Sequence, residues 1–273
     1  MSLKYTIITG ANGAMGSEAT AALARAGRPV IMACRDLDKA QAVKEKILDE
    51  VPDAVLEIKH LELSSLDEVR EFAQSLRGVE ISALFNNAGT MERHFSVTGD
   101  GFERTLAVNY LAPCLLTRLL LPQLRDGVLN MVSISCETAR FDHQIFSPDA
   151  SRFTQLGSYS SSKLALMLFS VALSQRCSLR VNVSDPGIVN TEMIRLHRWF
   201  DPLTDVIFRP FCNSPKKGAA PGVRALLSSE GSGLLYKGLG AKTIPSKYAS
   251  RAGDIGWLWE ESERILKGKG FLI

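Results

Sequence analysis

Tyr159 and Lys163 stand four residues apart in a stretch of helical period, which puts both side chains on one face of a helix. That pairing can do acid–base chemistry. A free phenol with a pKa near ~10 is a poor proton-transfer catalyst at neutral pH, and lowering it by ~3 units takes about 4 kcal/mol of preferential stabilisation of the phenolate. One ammonium at ~4 Å, at an effective dielectric of ~20, supplies about that much. The spacing therefore predicts a tyrosine tuned by its lysine and able to act as general acid or base. Taken alone, the same two residues are more often an exposed helix pair, so the rest of the chain has to decide.

A second candidate lies near the start. After an apolar run at residues 5–9, the segment Thr9-Gly10-Ala11-Asn12-Gly13-Ala14-Met15-Gly16 opens a helix that runs to about Gly27. Glycines at a strand-to-helix turn let the backbone approach a pyrophosphate, and the free N–H groups and dipole of the helix N-terminus stabilise its charge. Gly10, Asn12, Gly13, Met15 and Gly16 are thus candidate contacts to a dinucleotide; a tight turn without a ligand is the alternative. Asp36, at about the ~20-residue distance expected of a ribose acceptor, favours NAD. Arg35 argues for NADP. The strand at residues 30–34 ends on Cys34, an uncharged thiol where a carboxylate would select NAD, and the guanidinium that follows offers a planar fork of donors to a 2′-phosphate. NADP(H) is therefore preferred over NAD(H), with Asp36 capping a helix that begins near Leu37. The alternative for Arg35 is a solvated loop charge.

The elements that must carry these residues alternate. Runs at 5–9, 30–34, 55–60, 81–86, 128–134 and 179–184 read as strands, separated by helix-length segments, the pattern of parallel βαβ units. The predicted fold is α/β: a single domain over residues 1–273, a Rossmann-type doubly wound parallel sheet of about seven strands with helices on both faces and sites at the strands' carboxyl ends. Residues 192–217 break the rhythm, mixing Met193, Trp199, Phe200 and Phe208 with Arg195, Arg198 and Arg209. They read as an apolar insertion. It could be a substrate lid, a subunit interface or a peripheral membrane contact.

Composition removes other classes. With 45% hydrophobic and 22% charged residues, the 273-residue chain is neither disordered nor fibrous. Its 32 basic against 29 acidic residues leave a net charge of +3, too small to indicate nucleic acid. Cys34, Cys114, Cys136, Cys177 and Cys212 form no Cys-x-x-Cys pair, which points to free thiols in a reducing compartment and to no metal. The first residues show no basic region or cleavage site, and no stretch approaches the ~18 apolar residues of a membrane span, so a cytoplasmic protein without a transmembrane segment is expected. His60, His94, His143 and His197 are scattered, and no nucleophile-elbow or zinc-protease motif is present.

The glycine turn, Asn86-Asn87-Ala88-Gly89 at the end of the fourth strand, Tyr159-x-x-x-Lys163 and Pro186-Gly187-Ile188-Val189-Asn190-Thr191 resemble, in this order and spacing, the short-chain dehydrogenase/reductase family. The resemblance covers residues 5 to about 265. It implies hydride transfer between a nicotinamide and a carbonyl or alcohol, with Asn87, Ala88 and Gly89 near the adenosine ribose, and Pro186, Gly187, Ile188 and Thr191 at the nicotinamide. It also implies that Ser133, with Ser135 as fallback on the same strand face, hydrogen-bonds the substrate oxygen beside Tyr159. Lys163 would bind the nicotinamide ribose, and the main chain of Asn109 would hold a water linking Lys163 to solvent. Two positions depart from the pattern: Ala14 replaces the middle glycine, and Glu62, beside Leu63 at the adenine, replaces an Asp. The 26 residues between Ser133 and Tyr159, Cys34-Arg35-Asp36, and the segment Leu258-Trp259-Glu260-Glu261-Ser262-Glu263 look like the retinol-dehydrogenase-like branch. That branch implies a lipophilic substrate such as a retinoid, a steroid or another apolar carbonyl, and NADP implies reduction. The family resemblance also implies a homodimer or homotetramer through helices near 101–124 and 157–177. A non-catalytic dinucleotide-binding sensor or scaffold is the alternative.

Overall fold

Fully buried runs make the centre of the sheet: Tyr5–Thr9 (β1), Val30–Cys34 (β2) and Ile81–Asn86 (β4) have no exposed position. Strands this apolar on both sides require helices on both faces. The computed structural model describes residues 3–189 and 212–272. Thr191 and residues 192–211 of the predicted insertion lie outside the described residues.

The sheet order is β3-β2-β1-β4-β5-β6-β7-β8, with β3 at Leu56–His60, β5 at Leu124–Met131 and β6 at Arg180–Asp185. β1 to β7 pair in parallel. The chain winds outward in one direction to β3 and then returns to place β4 beside β1, so a crevice opens between the carboxyl ends of β1 and β4. Among the described residues the sheet has eight strands, close to the seven or so expected, and it is mostly rather than wholly parallel: Leu234–Lys237 (β7) and Gly240–Thr243 (β8) form an antiparallel hairpin at the edge. Four-residue strands with lysines on an exposed edge carry little apolar signal, which is why sequence periodicity passes over them.

Ala14–Arg25 (α1), Leu37–Glu50 (α2) and, later in the chain, Pro215–Leu227 contribute to the core on one face, while Leu66–Ser75 (α3) and the helices spanning 104–120 and 155–174 fill the other. Arg104–Leu106 (α4) passes through a wide π turn at Ala107–Leu111 into Ala112–Leu120 (α5), followed by Gln155–Ser174 (α6). Asp36, Ser65 and Thr154 cap α2, α3 and α6 by accepting from Lys39, Glu68 and Gly157 N–H groups. We label Pro215–Leu227 α7; it starts inside the 192–217 range, so the predicted insertion ends before Pro215.

Two further expectations change. α6 is long and apolar enough by composition to cross a membrane, contrary to the reading that no stretch came close, but its apolar residues pack into the core from Leu164 to Leu173. The strand expected over 128–134 begins and stops earlier: β5 runs from Leu124 to Met131, and Ser133 caps a one-turn helix, Ile134–Glu137. Beyond that turn Phe141 and Phe146 lie 5.8 and 6.0 Å from Trp257 of the C-terminal helix Ala252–Gly268. The extra length thus becomes an aromatic buttress against that helix.

Candidate active site

The crevice begins where β1 ends. Gly10 takes φ +64°, which only glycine adopts without strain, and Gly16 packs so closely that a Cβ there would come within 2.1 Å of the Gly10 carbonyl oxygen. Ala14, which departs from the glycine pattern, is exposed at the first position of α1, where helical backbone does not require glycine, and its methyl group lines the cavity. Unlike α2, α3 and α6, α1 has no side-chain cap: its N-cap is Gly13, and its first turn holds no acid. Its orphan N–H groups face a cavity of about 1070 Å³ lined by Gly10, Asn12, Gly13, Met15 and Gly16. An uncapped helix start at a strand crossover has the donors for a pyrophosphate, so these residues fit a dinucleotide.

The other shore of the crevice is tied to this one. Thr9 Oγ1 accepts from Asn87 N (3.1 Å) and Ala88 N (3.0 Å), and Asn87 Nδ2 donates to Thr9 O at 2.8 Å. The ends of β1 and β4 are thereby locked side by side, with Asn87, Ala88 and Gly89 on the cavity wall. Beyond the carboxyl end of β2, Arg35, Glu62 and Leu63 line the same cavity. Asn12 Nδ2 donates to the Asp36 carbonyl at 3.0 Å and holds the loop bearing Arg35, while the Asp36 carboxylate is spent on Lys39 N at 2.9 Å as a helix cap.

Ser133, Tyr159, Pro186, Gly187 and Ile188 line the opposite end. Ser133 Oγ accepts from Ser135 N (3.3 Å) and Ser135 Oγ (3.2 Å). Both serines reach the cavity through a helical turn rather than a shared strand face, and of the two only Ser133 acts on the Tyr159 hydroxyl, favouring its ionised form. Lys163 and Asn109 stand behind the wall. Lys163 Nζ donates to the Met131 carbonyl at 2.9 Å and lies 5.9 Å from the Tyr159 ring centroid. A Cβ on Gly89 would sit 3.2 Å from that Nζ and 3.1 Å from Asn109 Oδ1, so glycine here leaves room for both. Asn109, inside the π turn, accepts from Thr90 N at 2.7 Å and donates to Thr90 O and to Ser162 Oγ.

The electrostatics correct the simplest expectation. Tyr159 is held above the ordinary phenol value, chiefly by burial; the hydrogen bond to Ser133 pulls it down, while Asp185 and Cys136 push it up. Burial lowers Lys163 to about 8. The ammonium alone therefore does not depress the phenol, because it points at the Met131 carbonyl and is itself starved of solvent.

Three residues escaped the sequence reading. Asp185, buried at the end of β6, accepts from Gly187 N at 2.9 Å and pairs with Lys237 at 2.9 Å, bracing the Pro186–Gly187 turn against β7. Asn213 Nδ2 donates to Pro186 O at 3.1 Å, and its N–H donates to Ile188 O at 2.7 Å. Thr9 is the third. Thr9 carries a signal in its place before Gly10; Asn213 and Asp185 carry none, since their partners are set by packing.

A glycine turn leading into an uncapped helix at a strand crossover, facing a Ser–Tyr–Lys cluster, defines a dinucleotide-binding α/β oxidoreductase. Residues 4–199 match the short chain dehydrogenase family. The chain is 33% identical over 280 residues to retinol dehydrogenase 13 of Homo sapiens, spanning 96% of this chain and 84% of that protein. It is 32% identical to the WW domain-containing oxidoreductase of Gallus gallus over 98% of this chain and 69% of that protein. An uncharacterized protein from Mycobacterium paratuberculosis aligns with a TM-score of 0.79 and 29% identity over 97% of this chain and 94% of that one. A Sphingobium yanoikuyae short-chain dehydrogenase in complex with NADPH shares the fold at a TM-score of 0.67, with 19% identity, over 94% of this chain and 95% of that one. The chain belongs to the short-chain dehydrogenase/reductase family, on its retinol-dehydrogenase-like branch, and is an NAD(P)-dependent oxidoreductase.

Proposed function

We propose that the protein reduces an apolar carbonyl compound with NADPH, using Tyr159 as the proton donor, and runs the reverse reaction on the corresponding alcohol. The observation that carries this reading is the convergence of Ser133 and Tyr159 on the wall of the cavity that the glycine turn opens. The nicotinamide supplies or accepts the hydride when bound. Gly10, Gly13 and Gly16 admit the pyrophosphate to the start of α1; Asn87, Ala88 and Gly89 flank the adenosine ribose; Pro186, Gly187, Ile188 and Thr191 hold the nicotinamide end.

Ser133 donates to the substrate oxygen and Tyr159 delivers its proton there as charge develops. A phenol that burial keeps protonated is in the right state for that step. Lys163, still mostly charged at neutral pH, would hold the nicotinamide ribose beside Tyr159, and the π turn at Asn109 offers main-chain carbonyls for a water linking Lys163 to solvent.

The lipophilic substrate is supported by Ile134, Leu156 and Ile188, which line the cavity yet remain 44%, 64% and 58% exposed. Large apolar side chains left open around a polar reacting centre suit a substrate that buries them. The apolar segment at about 192–217 follows Thr191 directly in the chain, which supports reading it as a substrate lid. For the cofactor, Arg35 at the adenosine end supports NADP, as does the NADPH held by the Sphingobium relative of the same fold.

The test is NADPH oxidation, followed by its near-ultraviolet absorbance, against a panel of apolar aldehydes, ketones and quinones. Turnover that Tyr159→Phe abolishes while cofactor binding persists is the expected result. Tight NADPH binding with no turnover across the panel would instead establish a sensor or scaffold.

A further inference from the structure

The adenosine end holds an internal rival for the cofactor's phosphate. β2 and β3 run in parallel with Cys34 beside His60, and Leu61 N donates to Cys34 O at 3.0 Å. The residues that follow each strand therefore emerge side by side, Arg35 from one and Glu62 from the other. Glu62 is pinned: its Oε1 accepts from Ser64 N at 2.8 Å, and its side chain is only 21% exposed. Its second oxygen, Oε2, faces Arg35 Nη1 at 3.7 Å, while the Arg35 side chain is 74% exposed. Both residues line the same cavity.

We propose that Glu62 is a specificity-determining residue that competes with the 2′-phosphate of NADP for Arg35 and so weakens the discrimination against NAD. This rests on the reading of Arg35 as the phosphate ligand. The Arg35 Nη1 that faces Glu62 cannot turn fully to a phosphate while it pairs with the carboxylate, so a phosphate arriving at Arg35 must pull that nitrogen off the carboxylate or share the guanidinium with it. Swinging Glu62 clear would cost the hydrogen bond that Ser64 N–H donates to one of its oxygens. The phosphate then meets a fixed negative charge a few ångströms beyond the arginine. The longer side chain of Glu62 is what creates the contest, since its extra methylene carries the carboxylate toward Arg35.

Binding of adenosine 2′,5′-bisphosphate and adenosine 5′-monophosphate, measured by calorimetry on the full chain, isolates this end of the cleft without any turnover. The quantity read is the ratio of their affinities in the wild type, Glu62→Gln, Arg35→Ala and the double variant. Gln keeps an oxygen for Ser64 N–H and removes only the charge. The expected result is a ratio about fivefold higher in Glu62→Gln, shrinking as salt is raised, and no such rise when Arg35 is already alanine. An unchanged or lower ratio in Glu62→Gln, with Arg35→Ala still reducing it, overturns the competition and leaves the NADP reading standing. A rise of equal size with and without Arg35 also overturns it, since Glu62 would then repel the phosphate directly. A ratio untouched by Arg35→Ala removes the phosphate role of Arg35, and the competition with it.

Discussion

The two ends of one cleft use the same kind of charge in opposite surroundings. At the catalytic end Lys163 is 3% exposed and bonded to a main-chain carbonyl; at the adenosine end the Arg35 side chain is 74% exposed beside a carboxylate. Burial dominates the first, so its ammonium is lowered to about 8 and its effects follow pH. Solvent dominates the second, so its ion pair is worth little by itself and its effects follow salt. In the proposed function, the buried charge serves the chemistry and the exposed charge the choice among ligands.

The comparison is sharpened most by the catalytic end. Tyr159→Phe is expected to lower kcat by about a thousandfold, with cofactor affinity retained in a binding titration; near-normal turnover would break the assignment. Lys163 comes next. Its folded value of about 8 lies below the 10.5 of an exposed lysine, so the unfolded chain binds more protons between those two pH values. Stability therefore rises with pH through that window and is lowest below it, by an amount on the order of 3 kcal/mol. Denaturant unfolding of the wild type and Lys163→Met across this range should show the slope in the first and its loss in the second.

Smaller effects lie toward the adenosine end. Gly16→Ala forces a Cβ to within 2.1 Å of the Gly10 carbonyl oxygen and is expected to cost about 2 kcal/mol in thermal unfolding, together with weaker nucleotide binding. Arg35→Ala is expected to reduce the preference for NADPH over NADH by about fivefold at low salt and by less at high salt, in paired titrations. An undiminished preference in that variant would show the exposed end to be a bystander.

Much of this cleft is legible in the sequence because it is built from local rules. The Thr9–Gly16 turn and the Tyr159–Lys163 spacing each sit within a single strand–helix junction or a single helix, where backbone geometry fixes neighbours. Asp36 capping α2 is legible for the same reason. Other features are not. The hairpin at β7 and β8 has too few apolar residues to show a period, and the segment 134–154 reads only as extra length until Phe141 and Phe146 meet Trp257. Asp185, the brace of the Pro186–Gly187 turn, is defined by Lys237, a residue on a strand that periodicity does not reveal.

By itself the sequence determined the alternation of core strands and helices, the dinucleotide turn and the spacing of the candidate acid–base pair, since each follows from residue types at short, fixed separations. Only the tertiary structure decided how those groups are charged. Burial and hydrogen-bond direction depend on atoms brought together from distant parts of the chain. They turned Lys163 toward Met131, left Tyr159 protonated beside Ser133 and set Glu62 against Arg35.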